Sequence, residues 1–242
     1  MLQDLTTDVD WFPDISHLVI EDETPVDNLI SEKQMRLLTE TLYSNASVIA
    51  AEKFLVCANM GVFYALKQPP LVPDVFLSLN VEVPQDWSEK KNRTYLVWEF
   101  GKPPDVVIEI VSNREGNELG SKLSQYARMG VGYYAVFDPL QQLGTPPLRT
   151  FERRGTDYQE MADFWLAAAG IGMTLWDGEF EGKRDRWLRW CTQAGEIIPT
   201  GFERAEQERA RAEQERTRAE QERARADRLA EQLRSLGIEP EA

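Results

Sequence analysis

The sequence predicts an α/β domain with a mixed β-sheet, followed by a long carboxy-terminal helix. Runs rich in β-branched and aromatic residues, such as 94–100 and 106–111, are typical of strands, and segments with helical spacing lie between them. The run 106–111 is apolar on both faces, which predicts a central strand covered on both sides. From Ala205 the sequence repeats every seven residues with alternating Glu and Arg, which predicts an exposed helix.

The elements before the central strand begin with a helix. Ser31 and Gln34 fit a capping box, with Ser31 as the N-cap and Gln34 at the third helical position, so we expect a helix that starts there and continues through Leu42. Residues 54–66 are mostly apolar and strand-like, and residues 71–77 enter a further strand.

The elements after the central strand alternate between helix and strand. Asn117 is expected to open a short helix that Gly130 ends. A strand over 133–138 and a hairpin over 148–162 follow. One helix between two strong strands favours a mixed sheet. We therefore expect three parts: an irregular arm (1–30), an α/β domain (31–200) and a charged helical segment (201–242).

The charged segment has two interpretations. Glu and Arg side chains three and four residues apart favour a single solvated helix over 203–236. A coiled coil needs apolar side chains at two positions of each heptad. Alanine recurs at one of them and leucines come late, at 229, 233 and 236, so a weak coiled coil, with a second copy or another helical partner, stays open.

Composition excludes several classes of function. The chain has 41 acidic and 27 basic residues, of which 11 and 9 lie in 203–242, so residues 1–202 carry a net charge of −12. This charge argues against a general nucleic-acid coat but not against a local acidic metal site. Two cysteines, Cys57 and Cys191, cannot form a disulfide scaffold or a four-thiolate zinc site, and a single histidine, His17, excludes an HExxH zinc site. No apolar run is long enough to span a membrane, and residues 1–14 lack the pattern of a signal peptide, so we expect a cytoplasmic protein.

Two carboxylates are candidate metal ligands. Glu109 interrupts the apolar strand 106–111, where an ionised carboxylate is costly unless it is paired or binds a cation. The alternative is a glutamate at a sheet edge that pairs with an arginine. Asp74 follows Pro73 at the start of another strand and is a candidate second ligand, or else a turn-forming residue. Asp105 lies about 13 Å along the strand from Glu109, too far to share an ion, and we expect it to shape a turn.

Two helical residues complete the candidate set. Lys122 flanks the apolar face of the helix after the Glu109 strand, so its aliphatic part could lie over the sheet. The alternative is an exposed ion pair with Glu118. Glu40 projects from the first helix among leucines and is a further candidate for the site. The alternative is that it only favours helix formation at the solvent edge.

The order of these residues resembles the Uma2 family of bacterial endonucleases, which belongs to the PD-(D/E)XK nuclease superfamily. The resemblance covers about residues 25–200. It rests on Pro73-Asp74, EIVS (109–112), Lys122, YARMGVGYYAVFDP (126–139) and the phrases ANMGVFY, PDVFL, VWEFGKPPDVVIEIVS and WDGEFEG. A Glu/Arg-rich carboxy-terminal helix is a frequent appendage in that family.

The resemblance implies a restriction-endonuclease-like core of αβββαβ order and a divalent-metal site. Asp74 and Glu109 would be ligands of Mg²⁺, with Mn²⁺ as a substitute, and Lys122 would be the catalytic lysine. Glu40 matches a helix glutamate that often joins the site. A standard motif places its lysine two residues after Glu109, where this chain has Val111, so the resemblance implies that the helix supplies the lysine instead.

Three hypotheses of function follow. The first is a Mg²⁺-dependent DNA endonuclease that hydrolyses phosphodiester bonds with a metal-activated water. The second is a weak or inactive nuclease fold that binds partners through its carboxy-terminal helix. The third is a structural dimer assembled through the Ala/Leu positions of that helix.

Overall fold

The computed structural model describes residues 14–16, 18, 28–49, 51–113 and 117–235. The chain divides into two units, 1–198 and 199–242. Most of the predicted amino-terminal arm, including His17, lies outside the described residues. The helices are α1 (Leu29–Ser44), α2 (Val97–Phe100), α3 (Leu123–Met129) and α4 (Gly201–Ser235). The strands are β1 (Phe54–Ala58), β2 (Val62–Phe63), β3 (Val75–Leu79), β4 (Tyr95–Leu96), β5 (Val106–Ile110), β6 (Tyr133–Phe137), β7 (Leu148–Arg154), β8 (Asp157–Glu160), β9 (Trp165–Leu166), β10 (Ile171–Phe180) and β11 (Lys183–Cys191).

The central sheet has six strands in the order β1-β3-β5-β6-β7-β8. In this sheet β5 and β6 pair in parallel, and the other neighbouring strands pair antiparallel. The helix α3 lies between β5 and β6 in the chain, so the chain crosses over and β6 starts at the same edge of the sheet as β5. The succession α1, β1, β3, β5, α3, β6 is an αβββαβ core with a mixed sheet. This confirms the predicted fold class.

The sheet has an apolar core on each face. On one face, Leu38 and Leu42 of α1 pack with Ile108, Leu188 and Trp190. Those last two residues belong to a second, three-stranded sheet in the order β11-β10-β9. On the other face, side chains of α3 pack against the alternate residues of β5 and β6. Every residue of β5 is buried, as a strand covered on both sides requires.

The first helix begins earlier than the capping pattern predicts. The side chain of Asn28 accepts hydrogen bonds from the backbone N–H groups of Ile30 (2.9 Å) and Ser31 (3.1 Å), so Asn28 and not Ser31 is the N-cap. Gln34 instead exchanges two 2.9 Å hydrogen bonds with the backbone of Leu188, which ties α1 to β11. A second expectation is also wrong, since 94–100 forms a two-residue strand and the short helix α2 rather than one strand.

The segment after β5 enters its helix through an irregular turn. Asn117 has a left-handed backbone (φ 56°), and Glu118–Lys122 form a π-helical turn before α3. Gly120 inside this turn is not helical (φ −118°, ψ −105°), and a Cβ atom there would lie 2.0 Å from Asn117 Oδ1. Gly130 ends α3 in the left-handed region, as predicted.

The second unit consists mainly of α4. Thr200 and Glu203 form a true capping box: the Glu203 side chain accepts from the Thr200 N–H (2.7 Å), and the Thr200 hydroxyl accepts from the Glu203 N–H (3.1 Å). No described residue of α4 is buried, and Arg216–Glu220 and Arg218–Glu222 ion pairs lie along it. In the described part of the chain, no helix has the length and apolar character needed to cross a membrane.

Candidate metal-dependent active site

Asp74 lies next to Glu109 because of the register between β3 and β5. These strands pair antiparallel with Val75 opposite Ile108, so the same register continued by one residue sets Asp74 opposite Glu109. Opposed residues of an antiparallel pair project from the same face, with Cβ atoms about 5 Å apart. The backbone N–H of Ile110 donates a 2.6 Å hydrogen bond to Asp74 Oδ2, which orients this buried carboxylate toward β5.

Glu109 is buried under α3 and both of its carboxylate oxygens are bonded. Its side chain is 2% exposed. The hydroxyl of Tyr126 donates to Oε1 at 2.6 Å, and the ammonium group of Lys122 donates to Oε2 at 2.8 Å. Lys122 and Tyr126 are four residues apart, so they share one side of the helical segment and hold Glu109 from the same direction.

Burial and charge act in opposite directions on this group. Burial raises the pKa of Glu109, while the charge and hydrogen bond of Lys122 and the hydrogen bond of Tyr126 oppose that rise. Burial lowers the pKa of Lys122, but the charges of Glu109, Glu118 and Asp74 and the hydrogen bond to Glu109 together outweigh it, so the pKa of Lys122 is raised overall. Lys122 therefore stays an ammonium ion at neutral pH, and its charge compensates the buried carboxylate.

Lys122 is much more exposed than the carboxylate that it binds. Its side chain is 31% exposed, against 2% for Glu109. The alternative that it forms only an exposed pair with Glu118 is wrong, because its shortest ion pair is with Glu109 and Glu118 is itself buried. Val111, where a standard motif has its lysine, is a buried core residue.

Two further residues belong to this arrangement. The sequence did not single out Tyr126 as a site residue, but its hydroxyl donates to Glu109. The Tyr134 hydroxyl donates to the backbone carbonyl of Glu118 at 3.0 Å. In a sequence, a tyrosine whose hydroxyl binds a carboxylate cannot be told from one whose ring only fills the core. The four-residue spacing between Lys122 and Tyr126 does predict that the two side chains lie on the same side of the helix.

Glu40 lies on α1, which packs on the face of the sheet opposite to Glu109. Its Oε1 accepts a 2.5 Å hydrogen bond from Ser44. Its role as a site residue stays a prediction. Asp105 holds a turn, as expected, since its Oδ2 accepts from the Leu79 N–H (2.7 Å) and from Lys102.

The donor set of Asp74 and Glu109 suits a divalent cation. Both offer hard carboxylate oxygens on the same face of the sheet, and the Lys122 ammonium already lies against Glu109 as a positive charge. Among the described residues, no three Asp, Glu, His or Cys side chains are grouped closely enough to hold a metal ion. Two carboxylates are nonetheless the usual protein contribution to a Mg²⁺ site, where water and substrate phosphate complete the coordination.

Comparison with known proteins identifies one family. A family model named Uma2 and described as "Putative restriction endonuclease" matches residues 19–163, which is more than half of the chain. The matched range contains Asp74, Glu109 and Lys122. A search of curated proteins gave no significant match.

Proposed function

The chain belongs to the Uma2 family of restriction-endonuclease-like proteins, and from this premise we propose that it is a DNA endonuclease that depends on Mg²⁺ or Mn²⁺. The single observation that carries the proposal is the opposition of two buried carboxylates, Asp74 and Glu109, with Lys122 bonded to one of them. A purely structural ion pair would need only one carboxylate.

Asp74 and Glu109 would hold the cation. The Ile110 N–H fixes Asp74 from one strand, and Tyr126 fixes Glu109 from the helix, so both carboxylates are oriented before any cation binds. These two donors bind Asp74 Oδ2 and Glu109 Oε1. A bound Mg²⁺ would polarise the scissile phosphate and lower the pKa of a water molecule bound to it.

Lys122 would act on the substrate. Its side chain is about one-third exposed and lies at the rim of the buried pair, where a phosphate could approach. A lysine at this place can orient the attacking water and offset the charge that develops on the phosphoryl oxygens. The charge is most useful here because residues 1–202 carry a net charge of −12, which otherwise repels nucleic acid.

A second candidate function is a nuclease fold that serves as a scaffold. The observation in its favour is that Tyr126 and Lys122 already satisfy both oxygens of Glu109 without a metal ion. In that case α4, which has no buried residue among those described, would carry the interaction with partners.

Cleavage assays separate the two functions. Plasmid DNA and labelled single-stranded and branched DNA are incubated with wild type, Glu109→Ala and Lys122→Ala in Mg²⁺ or Mn²⁺. Glu82→Gln is the control, because Glu82 is an exposed carboxylate that forms an ion pair with Lys53 away from the candidate site. The nuclease proposal expects cleavage by wild type and the control and none by the other two. Folded wild-type protein that cuts none of these substrates would favour the scaffold.

A further inference from the structure

Glu118 is a buried carboxylate that neither the fold nor the proposed chemistry accounts for. Its side chain is 6% exposed. Oε1 lies 3.6 Å from Lys122 Nζ, which is an ion pair longer than a good hydrogen bond. Oε2 is buried and has no hydrogen-bond partner among the described residues. A buried carboxylate left in this state destabilises the fold, so its presence calls for a reason.

The backbone around Glu118 holds it beside Lys122. It is the first residue of the π-helical turn, four residues before Lys122 and therefore on the same side. The Tyr134 hydroxyl donates to its backbone carbonyl, and the close approach of Gly120 to Asn117 shapes the turn. The Lys122 ammonium thus lies between two buried carboxylates, and only Glu109 is at hydrogen-bonding distance.

This arrangement matters when a cation binds Glu109. The Oε2 atom of Glu109 is occupied by Lys122, whereas Oε1 is held by Tyr126. A metal ion that binds Glu109 through Oε2 would compete with the ammonium group for this oxygen and repel its positive charge. Without another acceptor, a lysine that remains two-thirds covered would lose the carboxylate to which it is hydrogen-bonded.

We propose that Glu118 is a positioning residue that accepts the Lys122 ammonium when a metal ion occupies Glu109. The ammonium needs to move by less than about 1 Å to shorten its 3.6 Å separation from Glu118 Oε1 to an ordinary hydrogen bond. Glu118 thereby lowers the cost of releasing Glu109 and keeps Lys122 beside the substrate. The inference rests on the proposed function.

The test is the binding of Mn²⁺ alone, measured by titration calorimetry on the full chain without nucleic acid. Glu118→Gln keeps the shape of the side chain and removes its charge. The matched control is Glu82→Gln, which also removes one negative charge. Glu82 lies after the end of β3 that is farther from Asp74, and β3 itself is about 17 Å long. We expect Glu118→Gln to bind Mn²⁺ about tenfold more weakly than wild type, without a fall in Tm, and the control to bind like wild type.

A double-mutant cycle shows whether Glu118 acts through Lys122. In a Lys122→Met background there is no ammonium to receive, so Glu118→Gln should change Mn²⁺ affinity by no more than about twofold. An equally large effect in both backgrounds would overturn the inference. If Lys122→Met does not fold, the comparison of Glu118→Gln with Glu82→Gln decides alone.

The failures of the two proposals are distinguishable. If wild type binds no Mn²⁺, the proposed function fails and the inference fails with it. If wild type binds Mn²⁺ and Glu118→Gln binds it as tightly as Glu82→Gln does, only the role of Glu118 is overturned.

Discussion

The ammonium group of Lys122 lies 2.8 Å from Glu109 Oε2, across thirteen residues of chain that leave the central strand and return on a helix. The carboxylate comes from a fully buried strand and the lysine from an irregular helical turn. Two elements of different type therefore supply the charged groups of the site. The position of Lys122 depends on the geometry of the turn, and that of Glu109 depends on the sheet and on Tyr126.

We expect Tyr126→Phe to weaken metal binding and cleavage without leaving a cavity in the core. The substitution keeps the ring and removes the donor to Glu109 Oε1, so a buried carboxylate oxygen loses its partner. We expect a loss of about 1–3 kcal/mol in the free energy of unfolding and about a tenfold loss in Mn²⁺ affinity and DNA cleavage. Calorimetry, thermal melts and cleavage rates give the three values.

Tyr158→Phe is the matched control for Tyr126→Phe. The Tyr158 hydroxyl donates to the backbone carbonyl of Val131 at 3.0 Å rather than to a carboxylate. Its loss should cost about 1 kcal/mol in stability and leave cleavage unchanged. If both variants lose activity equally, Tyr126 does not act through Glu109.

Gly120→Ala is expected to disturb the turn that carries Lys122. A Cβ atom at this position would lie 2.0 Å from Asn117 Oδ1 and 2.9 Å from its Cγ, so the Asn117 side chain must move. We expect a lower Tm and at least a tenfold loss of cleavage, because a misplacement of about 1 Å can have that effect. Ser121→Ala removes one exposed hydrogen bond with Asn117 and should behave like wild type. Wild-type cleavage by Gly120→Ala would show that Lys122 does not depend on this turn.

Helix α4 is expected to exchange its amide hydrogens quickly. No described residue of it is buried, so its stability comes from the Thr200–Glu203 capping box and from Arg–Glu pairs worth about 0.3–0.5 kcal/mol each. Raising the salt to about 1 M should screen these pairs and speed exchange further. Hydrogen exchange read by mass spectrometry measures both effects. Protection as strong as that of β5, rising with protein concentration, would instead indicate that a second copy covers the helix.

Cys57 is expected to resist alkylation in the folded protein. Burial raises the pKa of its thiol to about 12, so at pH 8 only about one molecule in ten thousand carries the reactive thiolate. Burial also raises the pKa of Cys191. Iodoacetamide should therefore label neither thiol of the native chain within minutes and both after unfolding in urea, as counted by intact mass. Rapid labelling of the native chain would contradict the described burial.

Much of the fold could be predicted from the chain because its signals are local. The apolar run 106–111, the glycine at 130 and the heptad repeat each specify one element without reference to the rest. The start of α1 could not be placed in this way, since Asn28 and Ser31 are both good N-cap residues, and Gln34, which would complete a capping box with Ser31, bonds to β11 instead. That contact joins residues 154 positions apart.

The candidate site was predictable only in part. A glutamate inside an apolar strand is a strong signal, and it led to Glu109. Asp74 could be proposed as the second ligand, but its place directly opposite Glu109 could not be predicted, because the register between β3 and β5 is a property of the whole sheet. The contributions of Tyr126 and Glu118 depend on a π-helical turn that has no recognisable pattern of its own.

The most direct test of the central claim is Mn²⁺ binding by the full chain, compared between wild type, Asp74→Asn and Glu109→Gln at neutral pH. Each substitution keeps the shape of the side chain and removes one of the two opposed carboxylates. The account predicts that wild type binds Mn²⁺ and that each variant, while folded, binds at least about tenfold more weakly. Equal binding by all three proteins, or none by folded wild type, would contradict it.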